Sequence, residues 1–149
     1  MVDNIPDILD VNNLIQLLAE SGVEVNKLSP NKYSFKAKEL NENFLASQEY
    51  LLRCRSLRGS IMLTGPLLAR LGRAVIPQPG GDKIGRRKLD THFLGMRKLG
   101  AELHYNDQTG ACEIVADKLA GTYILLDEAS VTGTANVVMA AVLAEGKTT

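Results

Sequence analysis

The chain has 149 residues, 45% hydrophobic and 23% charged, with 17 Lys+Arg against 17 Asp+Glu. That apolar fraction supplies a core for one compact domain or two small lobes and excludes a disordered chain, while zero formal charge argues against a chain wholly devoted to nucleic acid or to an acidic membrane. No run approaches 18 apolar residues, the start MVDNIPDILD lacks the order of a signal peptide, and Cys54 and Cys112 form neither CxxC nor a His-paired metal spacing, so a soluble cytoplasmic chain without a metal is expected.

In chain order, Asp10 is placed to cap a helix whose apolar positions Val11, Leu14, Ile15 and Leu18 follow the 3.6-residue period, with Gly22 at its end. Strands around Val23 to Val25 and Tyr33 to Phe35 follow, joined by a turn through Ser29, Pro30, Asn31 and Lys32. Ser56-Leu57-Arg58-Gly59-Ser60 opens an apolar helix from Leu57 to Leu71 that closes at Gly72. Pro66 is expected to kink this helix or remove one hydrogen bond. A β-like stretch, Arg73 to Pro77, comes next.

The same order then returns. A helix around Phe93, Met96 and Leu99 leads into Gly100-Ala101-Glu102-Leu103, which echoes Gly22-Val23-Glu24-Val25, and a second strand pair follows. Ser130-Val131-Thr132-Gly133-Thr134 opens another helix, apolar on nearly every side from Ala135 to Ala144, which closes at Gly146 before a β-like Lys147 to Thr149. Helices apolar all round are buried ones. The repetition predicts two β/α units, residues 1–77 (incomplete at the N-terminus) and 91–149 (incomplete at the C-terminus), around a loop at 78–90, each unit burying its helices against its own sheet.

Charge is unevenly spread. Between Arg53 and Lys98 lie eleven basic residues and only two acids, Asp82 and Asp90, a net +9 inside a neutral chain. Such a segment either meets an anion or is a solvated face balanced in space by acidic neighbours. Aromatic interleaving of the kind that stacks nucleic-acid bases is missing from it, since Phe93 is its one aromatic residue. At its centre stands Pro79-Gly80-Gly81-Asp82-Lys83-Ile84-Gly85-Arg86-Arg87-Lys88-Leu89-Asp90-Thr91-His92. Its glycines specify an irregular loop, and Asp90 or Thr91 is placed to cap the helix that follows.

Leu57-Arg58-Gly59-Ser60, Gly65-Pro66-Leu67-Leu68-Ala69-Arg70, the PGGDKIGRRKLDTH loop, Leu99-Gly100-Ala101, Leu126-Asp127-Glu128-Ala129-Ser130-Val131 and Ala141-Val142-Leu143-Ala144-Glu145-Gly146 together resemble the UDP-N-acetylglucosamine 1-carboxyvinyltransferase family, in order and over nearly the whole chain. The loop signature separates that family from its sibling, 5-enolpyruvylshikimate-3-phosphate synthase. The resemblance implies an α/β (α+β) fold of the enolpyruvyl-transferase type, two lobes of repeated β/α units with helices buried under sheets and a cleft between lobes. It implies transfer of the enolpyruvyl group of phosphoenolpyruvate to the 3′-hydroxyl of UDP-N-acetylglucosamine, by addition and elimination through a tetrahedral phospho-ketal, with no cofactor.

Residue by residue, the resemblance makes Asp82 the proton donor to the enolpyruvyl methylene, at a position where most members carry cysteine and some aspartate. It gives Arg87, Lys88, Leu89, Asp90 and Thr91 to the segment that contacts the UDP-sugar, Arg58 to the phosphate edge of the cleft, and Glu128, Ala129, Ser130 and Val131 to a helix start that touches the diphosphate. Guanidinium forks and free helix amides suit phosphate oxygens. Thr132 differs from the glycine that the resemblance leads one to expect after Val131, while Gly133 follows one place later. Cys54, Cys112, His92 and His104 are expected to serve packing or hydrogen bonding. Partners implied are the two substrates and a second lobe, with no nucleic acid and no membrane. The family's N-terminal Lys-Asn pair and its other-lobe aspartate and arginines have no counterpart here, so the chain is expected to be part of one lobe, without turnover on its own. The rival expectation is a free-standing anion-binding, nucleotide-binding or interaction domain without catalysis.

Overall fold

The computed structural model describes residues 1–78 and 89–149. Helix α1 (Leu9–Glu20) begins one residue before Asp10, so Ile8 takes the cap position and makes no side-chain cap. Asp10 lies in the first turn, where its carboxylate complements the positive helix end instead of closing it. Strands β1 (Glu24–Ser29) and β2 (Lys32–Lys36) form the expected hairpin, with Val25 opposite Phe35. Two short helices follow, α2 (Glu42–Leu45), capped by Asn41, and α3 (Gln48–Ser56), capped by Ser47.

The single apolar helix expected from Leu57 to Leu71 is two elements. Ser56 does not open a helix; it ends α3, its hydroxyl donating to the Arg53 carbonyl at 2.8 Å. Arg58–Leu63 is a 3₁₀ segment, and α4 begins only at Thr64 and runs to Leu71. Pro66 therefore falls in the first turn of α4, where an α-helix has no acceptor for the N–H that proline lacks, and no kink is needed. Gly72, at φ 67°, closes α4 in a left-handed conformation that suits glycine.

Strand β3 (Arg73–Pro77), helix α5 (Asp90–Lys98), strands β4 (Glu102–Asn106) and β5 (Ala111–Val115) and helix α6 (Val131–Ala141) complete the chain. The sheet order is β3-β5-β4, antiparallel throughout, with Val75 and His104 flanking Glu113. β3 thus pairs with a strand of the later hairpin, while β1 and β2 stand as a separate ribbon. One apolar cluster joins both stretches: Leu17, Tyr50, Cys54, Leu57, Leu68, Met96, Leu99, Ile114, Val137 and Ala140 are buried together. Cys54 and Cys112 are free thiols inside it, and burial pushes both up in pKa, which matches the expected packing role.

Two expectations about the last helix fail. α6 ends at Ala141, five residues before Gly146, and it is not buried on every side: Val138 is 56% exposed, and Val142, just past its end, 74%. Its outer face borders an open groove of about 430 Å³ lined by Ile124, Leu126, Val137, Val138 and Val142. Lys147 to Thr149 forms no strand, although Thr149 exchanges backbone hydrogen bonds with Thr122 and Ile124 beside an isolated Ala120–Glu145 bridge. None of the described helices is long and apolar enough to cross a membrane.

Part of the basic segment is balanced as a solvated face would be. Arg53 pairs with Glu20 and Glu49, and Arg73 with Glu113. Arg70 and Arg55 donate instead to backbone carbonyls, of Ala37 and Lys38 and of Thr109. These four cations are engaged with the fold itself.

Candidate functional site

Helices α4 and α5 each approach α6 closely because small residues face the contacts. A Cβ on Gly95 would lie 2.1 Å from Val137 Cγ2, and one on Gly65 2.3 Å from the Asn136 carbonyl oxygen. The start of α5 is thereby brought against the start of α6. A Cβ on Gly133 would sit 3.0 Å from Thr91 Cγ2.

Around that junction the structure gathers several of the residues chosen from sequence. Ser130 caps α6, its Oγ accepting from Gly133 N–H at 3.1 Å, as a helix-start serine should. Val131, the first helical residue, is 88% exposed, and Glu128 and Ala129 are exposed just before it. Thr91, buried in the first turn of α5, lies within hydrogen-bond distance of Glu128 Oε1 (3.1 Å) and Asp127 Oδ1 (3.3 Å), tying the segment before α6 to α5.

Neither Asp90 nor Thr91 caps α5. Leu89 takes that position, because the helix starts at Asp90, and Asp90 is left exposed in the first turn. Arg58, half-buried at the start of the 3₁₀ segment, lies near enough to His92 for its positive charge to be felt there. Arg58, Leu89, Asp90, Thr91, Glu128, Ala129, Ser130 and Val131 thus fall on the adjoining starts of three elements. Asp82, Arg87 and Lys88, with the rest of the loop from 79 to 88, lie outside the described residues.

His92 and Asn136 form the buried floor of this junction, at 3% and 0% exposure. The Asn136 amide nitrogen donates to the Ile61 carbonyl (3.0 Å) and faces His92 Nδ1 at 3.1 Å, while its oxygen accepts from Gly65 N–H at 2.7 Å. Burial, and then the Arg58 charge, hold the His92 pKa below its ordinary 6.5. The hydrogen-bonding role expected for His92 is borne out. Asn136 was not singled out by sequence reasoning; the available signal was one amide side chain inside an otherwise apolar run.

In its fold, the chain is similar to an EPSP synthase from Acinetobacter baumannii, with a TM-score of 0.67 at 19% identity over 93% of this chain and 31% of the other. It is equally similar to the enolpyruvyl transferase NikO from Streptomyces tendae, with a TM-score of 0.68 at 16% identity over 98% of this chain and 33% of the other. The expected α/β fold of this class is therefore present. A family profile, EPSP synthase (3-phosphoshikimate 1-carboxyvinyltransferase), matches residues 1–149, and the chain belongs to that family. Among its relatives, the UDP-N-acetylglucosamine 1-carboxyvinyltransferase of Bacteroides thetaiotaomicron is 62% identical over 148 residues, and that of Porphyromonas gingivalis 55% identical over 149. These matches cover 99% and 100% of this chain but 34% of either relative, so the chain spans about a third of the length of the curated relatives it matches.

Proposed function

We propose that the protein containing this chain transfers the enolpyruvyl group of phosphoenolpyruvate to the 3′-hydroxyl of UDP-N-acetylglucosamine, the step that opens peptidoglycan synthesis. The observation that carries this reading is the convergence of Arg58, Thr91 and Ser130 on one junction in a chain 62% identical to relatives of that name. The sugar-nucleotide acceptor is favoured over a shikimate phosphate because a relative named for the former is 62% identical to this chain, whereas the EPSP synthase of similar fold is 19% identical. A cytoplasmic site of action, a part in cell shape and division, and altered fosfomycin response belong to the same reading. So do the division into units 1–77 and 91–149 and the need for a second lobe to complete the cleft.

In this reaction the sugar hydroxyl adds to C2 of phosphoenolpyruvate while C3 gains a proton; loss of a C3 proton and of phosphate from the phospho-ketal then yields the enol ether. Arg58 and Arg87 hold phosphate oxygens in forks that stay charged at any working pH. The start of α6 offers N–H groups and the positive helix end to the diphosphate. Lys88, Leu89, Asp90 and Thr91 border the nucleotide, with Glu128, Ala129, Ser130 and Val131 opposite. Asp82 delivers the proton to C3. A carboxyl acid can do so near neutrality only with a raised pKa, so substrate phosphates that neutralise Lys83, Arg86 and Arg87 are part of what makes it competent.

The test is Asp82→Asn in the intact protein. Turnover, read as phosphate release dependent on both substrates, should fall by about 10²-fold or more, with UDP-N-acetylglucosamine affinity kept within a few-fold. Normal turnover removes Asp82 from the mechanism. Fosfomycin should inactivate poorly, because a carboxylate attacks its epoxide less readily than a thiolate; rapid covalent labelling of Asp82 would contradict this.

A further inference from the structure

The Thr132 side chain faces the buried Asn136–His92 pair through His92. An amide nitrogen carries two protons and no usable lone pair, so the Asn136 NH₂ can only donate, to the Ile61 carbonyl and to His92 Nδ1. The reversed amide would set oxygen against the Ile61 carbonyl and NH₂ against the Gly65 N–H, two like-with-like contacts at 3.0 and 2.7 Å, and is excluded. His92 Nδ1 is therefore an acceptor, and the ring proton resides on Nε2. That nitrogen faces Thr132 Oγ1 at 3.4 Å.

By accepting from His92, the Thr132 oxygen keeps its own O–H free to donate elsewhere. Thr132 is exposed in the first turn of α6. Of the first N–H groups, which a helix leaves without an internal acceptor, that of Gly133 goes to the Ser130 hydroxyl, and Thr134 already makes the first helical bond, to the Ser130 carbonyl. Those of Val131 and Thr132 have no partner among the described residues. Arg58 brings positive charge to the same ring.

We propose that Asn136 is a positioning residue: it sets His92 as the neutral Nε2–H tautomer, which turns the Thr132 hydroxyl outward as an added donor to a diphosphate oxygen at the start of α6. The inference rests on the nucleotide reading above. It assigns to this chain a phosphate contact made by the Thr132 side chain.

Two measurements decide it. Nitrogen NMR of the His92 ring in the intact protein should find Nε2 protonated and Nδ1 bare near neutral pH; the opposite tautomer, or an imidazolium, overturns the proposal whatever the enzyme does. Calorimetry with UDP-N-acetylglucosamine should give affinity about fivefold weaker for Thr132→Val and near the parent value for Thr132→Ser. Asn136→Asp, which still accepts from Gly65 but cannot donate to Nδ1, should lose about the same factor, and the double variant no more. If Asn136→Asp does not fold, the exposed Thr132 pair carries the binding test alone. Parent-like affinity of Thr132→Val overturns this inference and leaves the nucleotide reading standing, whereas a parent protein that ignores the UDP-sugar removes both.

Discussion

At the residue scale, the close helix approaches turn on two glycines with different neighbours. A methyl at Gly95 meets the side chain of Val137, whereas a methyl at Gly65 meets the backbone of α6 and the buried Asn136 amide. Gly95→Ala is expected to cost about 1–3 kcal/mol, and Gly65→Ala more than that, because it also disturbs a buried hydrogen bond. Denaturant unfolding of the two variants checks the order. The depressed pKa of His92 has a stability consequence of definite sign. The unfolded state binds a proton more readily than the folded one, so this contribution is fully present above pH 6.5 and is lost as pH falls from there through the folded value. Thermal melts across that range should show acid destabilisation that His92→Gln reduces. Neither effect was legible in the sequence, because a buried amide and a buried imidazole look polar until the contacts that satisfy them are known.

At the element scale, the sequence located both hairpins and the serine start of α6 because strand alternation, turn residues and caps are local signals. It misread the stretch after Leu57. Apolar character does not separate a 3₁₀ segment from an α-helix, and the change between them at Thr64 is what accommodates Pro66. A kinking proline in mid-helix would cost about 3 kcal/mol, and replacing it would recover that amount. At its actual place in the first turn, Pro66→Ala should gain nothing and lose up to about 1 kcal/mol through the freer unfolded chain. Equilibrium unfolding distinguishes the two signs. The caps expected at Asp10 and at Asp90 or Thr91 failed for one reason: each helix begins at or before the residue chosen, which leaves it inside the first turn.

At the scale of the whole molecule, the fold class was legible from repeated order, but the pairing of β3 with β5 was not, since it joins strands separated in sequence by more than thirty residues, α5 and β4 among them. Nor did the net charge of the middle segment reveal that Arg53, Arg55, Arg70 and Arg73 are engaged by the fold while Arg58 lies beside the junction of α5 and α6. The central claim is that this junction receives the diphosphate of a sugar nucleotide. Titration of UDP-N-acetylglucosamine into the isotopically labelled intact protein, read at individual backbone amides, tests it most directly. The account predicts saturable shifts at Thr91, Ser130, Val131 and Thr132, with β1 and β2 unmoved. Saturable shifts that leave these four amides unchanged and fall elsewhere would contradict it.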